Sequence, residues 1–324
     1  MVTATQSLRP QAGAGAFWRR LVNGDEVARL VTLAFASTVL LIVAVLVFEL
    51  FRGSAVARHR FGWAFFVTQN WDPVAEQFGA LPFIYGTVVT SAVALLIAVP
   101  LSLGAAVFLA ELAPQRISDA CTFLIELLAA VPSVIYGLMA IFTLVPLLRD
   151  YVQPFLGKTL GFLPFFQGPS FGAGYLAAGL ILAVMICPFI ISISREALFG
   201  VPREQREAAL ALGATQWEST WQVVIPHARL GIIGSVFLAL ARALGETMAV
   251  TMVIGNDPSI RASLFAPGYT IAAVLANEFT EATGELYLDS LVELGLVLFL
   301  LTMVINALAQ LLVVLTSRRG SAHP

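Results

Sequence analysis

The sequence predicts an all-α, polytopic membrane bundle, with about six transmembrane helices. Three observations predict it. The chain of 324 residues is 59% hydrophobic and only 12% charged, about half the charge fraction of an ordinary soluble domain. Its mean hydropathy is +0.88. Several uncharged runs reach about 20 residues, the length that carries a helix across a bilayer core. These runs do not alternate apolar with polar residues, as the strands of a membrane barrel do. Helices are the spanning structure left, because backbone groups in lipid must close their hydrogen bonds within the segment.

Spans are expected at 30–51, 82–112, 126–148, 173–195, 229–254 and 289–316. They belong to one transmembrane domain over 29–317, flanked by tails at 1–28 and 318–324. The ends 1–25 and 317–324 look poorly ordered. Ala55-Val56-Ala57 mimics a signal-peptidase site after the first run. That run exceeds a usual signal core and its leading tail is too long, so an uncleaved anchor is expected.

Basic residues in short loops set orientation. With the N-terminus in the cytoplasm, Arg9, Arg19, Arg20, Arg29, Arg116, Arg195, Arg203, Arg206, Arg229, Arg318 and Arg319 lie inside. Arg52, Arg58, Arg60, Arg149, Lys158 and Arg261 lie outside. The bias favours a multi-pass protein with both termini in the cytoplasm, and Arg52, Arg58 and Arg60 run against it. In the outer stretch 149–172, Pro154, Pro164 and Pro169 with four glycines exclude a spanning helix. Its phenylalanines place it at the membrane surface or against a partner. The outer loop 256–288 is acidic, with Asp257, Glu278, Glu281 and Glu285.

Enzyme-like strings fail on context. Gly157-Lys158-Thr159 ends like a phosphate-binding loop, but Val152 stands where the pattern needs glycine. Any ATP hydrolysis must therefore come from another subunit. Gly168-Pro169-Ser170-Phe171-Gly172 matches a nucleophile elbow without its strand-turn-helix setting. The only histidines are His59, His227 and His323, and His227 belongs at the opposite membrane face. Cys121 and Cys187 have no Cys or His neighbours and read as small packing residues. No cofactor, metal site or nucleic-acid partner is expected.

The cytoplasmic stretch 196–228 reads as two short helices. Pro202 suits the first turn of the first, and Glu204 and Glu207 suit its positive end. Gly213 stops that helix in the left-handed conformation. Thr215-Gln216-Trp217-Glu218 is a capping box that opens the second, and Pro226 is expected to end it. Trp217, Trp221, Val224 and Ile225 give it an apolar face. Such a hairpin serves either as a docking element or as a cap on the bundle's own end.

The string Glu207-Ala208-Ala209, three residues, Gly213, nine residues, Val223-x-Ile225-Pro226 resembles the EAA loop of ABC-importer permeases. The family pattern ends Ile-x-Leu-Pro, so Val223 and Ile225 are conservative departures. The resemblance implies that this loop inserts into a groove of a separate ATPase subunit and transmits its closure.

The fifth span carries Arg242 and Glu246 in an otherwise apolar run. Ionisable groups at membrane depth face an interior or a watery path. Their i,i+4 spacing puts them on one face, close to Gly231, Ser235, Ala239 and Ala249. Arginine offers a planar fork of donors that matches an oxyanion. Glu246 can accept a proton from hydrogen phosphate, which sulfate cannot donate. The rival reading is an Arg–Glu pair that only locks the bundle.

Around this pair, ALARALGETMAVTMVIGN over 239–256 is similar to the signature of the C-type permeases of bacterial high-affinity phosphate ABC importers, in the MetI-like family. So are Leu81-Pro82-Phe83-Ile84-Tyr85-Gly86-Thr87, Val131-Pro132-Ser133-Val134-Ile135-Tyr136-Gly137 and Ala276-Asn277-Glu278-Phe279. The resemblance runs over most of 60–316 and implies a type I ABC importer permease fold. It assigns Arg242 and Glu246 to phosphate passage. It also implies a heterodimer with an A-type permease in the lipid of the inner membrane, two ATP-binding-cassette ATPase subunits, and a periplasmic or lipid-anchored phosphate-binding protein.

Other positions carry less. Glu111 and Glu126 read as interfacial, Pro132 and Pro188 as kinks within spans, and Met139, Met185 and Met248 as packing. Tyr85 and Tyr136 fit a path or an interface equally. The rivals are the same architecture carrying sulfate, molybdate or a phosphonate, an ion-driven secondary transporter, which often shows repeats not evident here, and a membrane enzyme or sensor scaffold.

Overall fold

The uncharged run that begins at Leu81 forms the helix on which the bundle is built. The computed structural model describes residues 25–320, and Arg9, Arg19, Arg20, His323 and the expected disorder of the two ends lie outside them. Two units separate near Arg52. In the first, helix α1 (Asp25–Gly53) supplies the expected first span. In the second, α2 (Ala55–Phe61) leads into α3 (Leu81–Leu112). Then follow α4 (Gln115–Ala129), α5 (Ser133–Leu160), α6 (Tyr175–Phe199), α7 (Arg203–Ala211), α8 (Gln216–Gly245), α9 (Met248–Thr251), α10 (Ile271–Glu278) and α11 (Glu285–Gly320). Among the described residues there is no strand longer than an isolated bridge, and six helices are long and apolar enough to cross a membrane.

Small residues let α3 and α6 approach closely. Ala94, Ala98, Ala177, Ala178 and Ala183 are buried between the spans, and a Cβ on Gly179 would stand 2.4 Å from Val93 Cγ1. In lipid, where apolar burial gives helices no advantage over lipid tails, such contacts and hydrogen bonds supply the association energy. At the hairpin end, Ala106 of α3, Leu198 of α6 and Val224 of α8 form a smaller apolar cluster. At the opposite end, Trp71 packs edge-on against Phe78 and Phe83. The Trp71 indole donates to Glu278 at 2.8 Å, as does the Tyr287 hydroxyl at 2.7 Å. Burial pushes the nearby Tyr269 hydroxyl up to about 12, so it stays a neutral phenol and accepts from Asn277 at 2.9 Å.

Proline explains three of the differences from the expected spans, and the fifth span also stops early, at Gly245. Proline lacks an N–H and its ring strikes the carbonyl four residues back, which normally breaks a helix. Here π-turns close two residues before Pro114, Pro146, Pro154 and Pro226, over Phe108–Leu112, Ala140–Leu144, Leu148–Val152 and Thr220–Val224. In each, the residue before the proline donates five residues back, as Ile225 does to Thr220. The wider turn moves the offending carbonyl off the ring. Helix α5 therefore continues through the stretch 149–160 that its breakers were expected to keep out of a span. Pro226 does not end the hairpin's second helix, which runs straight into the fifth span. Pro132 is more than a kink: it separates α4 from α5, so the third span starts at Ser133 rather than 126. Pro188 stays inside a continuous helix.

Packing is tightest at Gly86 of α3, where a Cβ would fall 2.0 Å from the backbone oxygen of Tyr269. Gly86→Ala is expected to destabilise the protein by about 1–3 kcal/mol, read as a lower melting temperature in detergent. An unchanged melting temperature would show that this end is loosely packed.

Candidate coupling hairpin and intramembrane charged site

The hairpin 196–228 is set by local chemistry. Pro202 caps α7 rather than entering its first turn. The helix ends with Gly213 at φ +91. Gly213 N–H donates to Leu210 O at 3.0 Å and Ala214 N–H to Ala209 O at 3.1 Å, the paired closure of a glycine-terminated helix. A Cβ at Gly213 would meet nothing within 4 Å, so backbone conformation alone demands glycine here. Two residues on, Thr215 Oγ1 accepts from Glu218 N–H at 3.2 Å, and Glu218 Oε2 accepts from Thr215 N–H at 2.8 Å. The expected capping box is thus complete.

Ala208, Ala209, Gly213 and Val223 come together with Gln205, Leu212 and Gln222 around an open groove of about 690 Å3. Leu212 stands 91% exposed at its rim. Glu207 points elsewhere, into a pocket with Ala110, Phe199 and Arg203. Ile225 joins Trp217 and Trp221 around an apolar pocket of about 550 Å3 against Pro100, Leu103 and Val107 of α3. Pro226 is exposed at the start of the transmembrane part of α8.

Sequence reasoning missed the side chains that anchor the hairpin. Glu111, expected at the interface, is only 9% exposed and pairs with Arg206 at 2.9 Å. Arg195 is buried too: it donates to Ser118 Oγ at 3.0 Å and lies over Phe199 at 4.5 Å. The available signal was Glu111 as a lone charge in the last turn of an otherwise uncharged span, which marks the need for a partner without naming it.

Arg242 and Glu246 do not share a helix. Helix α8 ends at Gly245, and Glu246 has extended backbone at φ -69, ψ 128. Glu246 Oε1 accepts from Ala249 N–H at 3.3 Å, at the start of α9. Arg242 sits over the Phe189 ring of α6 at 4.3 Å. Among the described residues no ion pair joins the two, so the locking-pair reading loses its basis. Arg242 is exposed and Glu246 half-buried on this chain. Of the small residues expected beside them, Ser235, Ala239 and Ala249 are buried and Gly231 is half-buried.

Two of the signature stretches meet each other, and a third meets the start of α10, the helix that carries most of the fourth. Gly137 of Val131–Gly137 lies against Met252 and Ala249. Thr87 of Leu81–Thr87 accepts from Ile271 N–H at 3.0 Å. Tyr136 donates to Leu128 O at 2.7 Å and Tyr85 to Arg261 O at 3.1 Å. Met185 is buried, whereas Met139 and Met248 are about half exposed, so only the first is a packing residue within this chain. Both cysteines are free and partly buried. Among the described residues no three His, Cys, Asp or Glu side chains gather as metal ligands.

The model of the family described as the binding-protein-dependent transport system inner membrane component matches residues 98–321. The chain belongs to that family. A phosphate transport system permease protein PstC of Mesorhizobium japonicum is 48% identical over 308 residues, covering 94% of both chains. Its counterpart from Haemophilus influenzae is 47% identical over 286 residues, covering 87% of this chain and 90% of that one. Among solved structures, a bacterial ABC transporter involved in import of the acidic polysaccharide alginate aligns at a TM-score of 0.60 and 16% identity, over 93% of this chain and 99% of the other. This last likeness concerns the fold alone. The inner-membrane component described here is a multi-pass membrane protein of the ABC importer permease type, as the six apolar helices and the family require.

Gly213→Ala keeps the space but not the backbone preference. It is expected to weaken the hairpin turn by about 1–2 kcal/mol, seen as faster amide exchange over 210–218 with exchange elsewhere unchanged. Unaltered exchange there would remove the turn's dependence on glycine.

Proposed function

We propose that this chain is a non-catalytic permease subunit of an ATP-driven importer that carries inorganic phosphate into the cytoplasm. The observation that carries the reading is identity of nearly half over almost the whole length to proteins named as phosphate permeases. In this reading the partners are an A-type permease, two ATPase subunits and a phosphate-binding protein outside the membrane. The basic-residue bias supports an orientation with both termini and the hairpin in the cytoplasm.

Arg242 supports both a partner and a path. An exposed guanidinium in the apolar part of a membrane helix is costly against lipid. A second permease facing it, with a watery cavity between, removes that cost. Stacked on Phe189, Arg242 gives its N–H groups to no acceptor among the described residues, which leaves the fork for an oxyanion. Glu246, on extended backbone past the helix end, accepts a hydrogen bond from the P–OH of hydrogen phosphate, and the proton stays on the ion. The ion is passed on without any of its bonds to phosphorus breaking.

The groove between the hairpin arms is the docking site for the ATPase in this account. Closure of the ATPase pair presses on Gln216–Ser219, and α8 is continuous from there to Arg242. The charged site and the motor contact therefore lie on one rod, roughly 40 Å apart at the rise of an α-helix. Alternating access follows as that rod tilts.

Arg242→Ala is expected to abolish phosphate uptake in proteoliposomes while the complex still assembles. Uptake at the parent rate would refute the path. Gly213→Arg adds bulk and charge to the groove and is expected to prevent co-purification of the ATPase. Intact co-purification would refute docking at this hairpin.

A further inference from the structure

We propose that Arg206 is a positioning residue that makes the hairpin, α3 and α6 move as one body, so that ATPase closure reaches those spans. The inference rests on the docking role proposed for the hairpin and adds a transmission point outside its groove. Arg206 sits on α7, beside Glu207, and its side chain points back to the bundle. Nη2 donates to Glu111 Oε1 at 2.9 Å and Nε to Glu111 Oε2 at 3.3 Å. This is a two-pronged grip on the last turn of α3. The same guanidinium donates to Leu198 O at 2.7 Å and to Val201 O. Leu198 O lies in the last turn of α6, where a cation also meets the negative pole of the helix, and Val201 O lies just past its end.

Both partners are withdrawn from solvent, Arg206 to 20% and Glu111 to 9% exposure. Screening that weakens surface pairs therefore acts little here. The π-turn Phe108–Leu112 holds Glu111. The hairpin's other arm touches the same residue, because Gln216 Nε2 donates to Glu111 O at 3.4 Å. One glutamate thus takes bonds from both arms of the hairpin. The spans that receive the load, α3 and α6, are already joined through their small residues. A push on the hairpin therefore has a stiff route into the bundle besides α8. Lysine at 206 would keep the charge but could not hold one carboxylate and two carbonyls in a plane.

The test uses the complete importer in proteoliposomes with encapsulated ATP. It reads ATPase co-purification, and phosphate moved per ATP hydrolysed. Arg206→Ala is expected to retain the ATPase and lower the phosphate-to-ATP ratio by about tenfold, the size of an ordinary coupling between two sites. Removing Arg206 alone leaves a buried carboxylate without its partner, so Arg206→Ala with Glu111→Gln controls for that. The double variant is expected to be no worse than Arg206→Ala, since both act through one contact. Arg206→Lys is expected to give an intermediate ratio, and it carries the test if the alanine variant fails to assemble. A parent ratio in Arg206→Ala, or in Arg206→Lys where alanine does not assemble, overturns the proposal. So does a fall in uptake and hydrolysis in equal proportion, which marks a merely structural role. Failure of the docking reading itself shows separately, as ATPase retention by Gly213→Arg.

Discussion

Every span must close its own backbone hydrogen bonds in lipid, and this chain meets that constraint while keeping proline at Pro146, Pro154 and Pro226. The π-turn is the device. It absorbs the missing N–H and the ring clash within one turn, so a helix passes through proline where a break would expose carbonyls. Two consequences shape the protein. The hairpin's second arm and the fifth span become one helix, Gln216–Gly245. A similar turn before Pro114 carries Glu111 at the foot of α3, where it receives Arg206.

The contrast at the other end of α8 is as informative. No π-turn rescues the chain after Gly245, and the helix stops. Glu246 then hangs from extended backbone between a long helix and the single turn Met248–Thr251. A carboxylate on such a joint can reorient when either neighbour moves, whereas Arg242 is held on Phe189. A stacked donor and a hinged acceptor fit the ion path proposed for the two residues.

Where structure is local, the residues were enough. Gly213, Thr215 and Glu218 form their turn and cap as read, because the partners lie within a few residues of each other. The spans from Leu81 and Tyr175 were legible from uncharged length. What failed was whatever depends on an i→i+5 turn or a distant partner. Pro154 and Pro226 look like breakers until the turns before them are known. Arg242 and Glu246 share a face only if the helix continues, and Gly245, with Arg242 in the turn before it, was the stop signal passed over inside an apolar run. The Arg206–Glu111 pair joins segments far apart in the chain, so neither residue signals the other.

In the proposed function the motor lies outside this chain, is felt through a glycine-broken hairpin and is delivered along α8. The most direct measurement is phosphate accumulation by proteoliposomes holding this chain alone, set against vesicles that also hold the second permease, the ATPase and the binding protein. The account predicts accumulation only in the complete set, and only with ATP on the hairpin side. Accumulation against a gradient by this polypeptide on its own would contradict it.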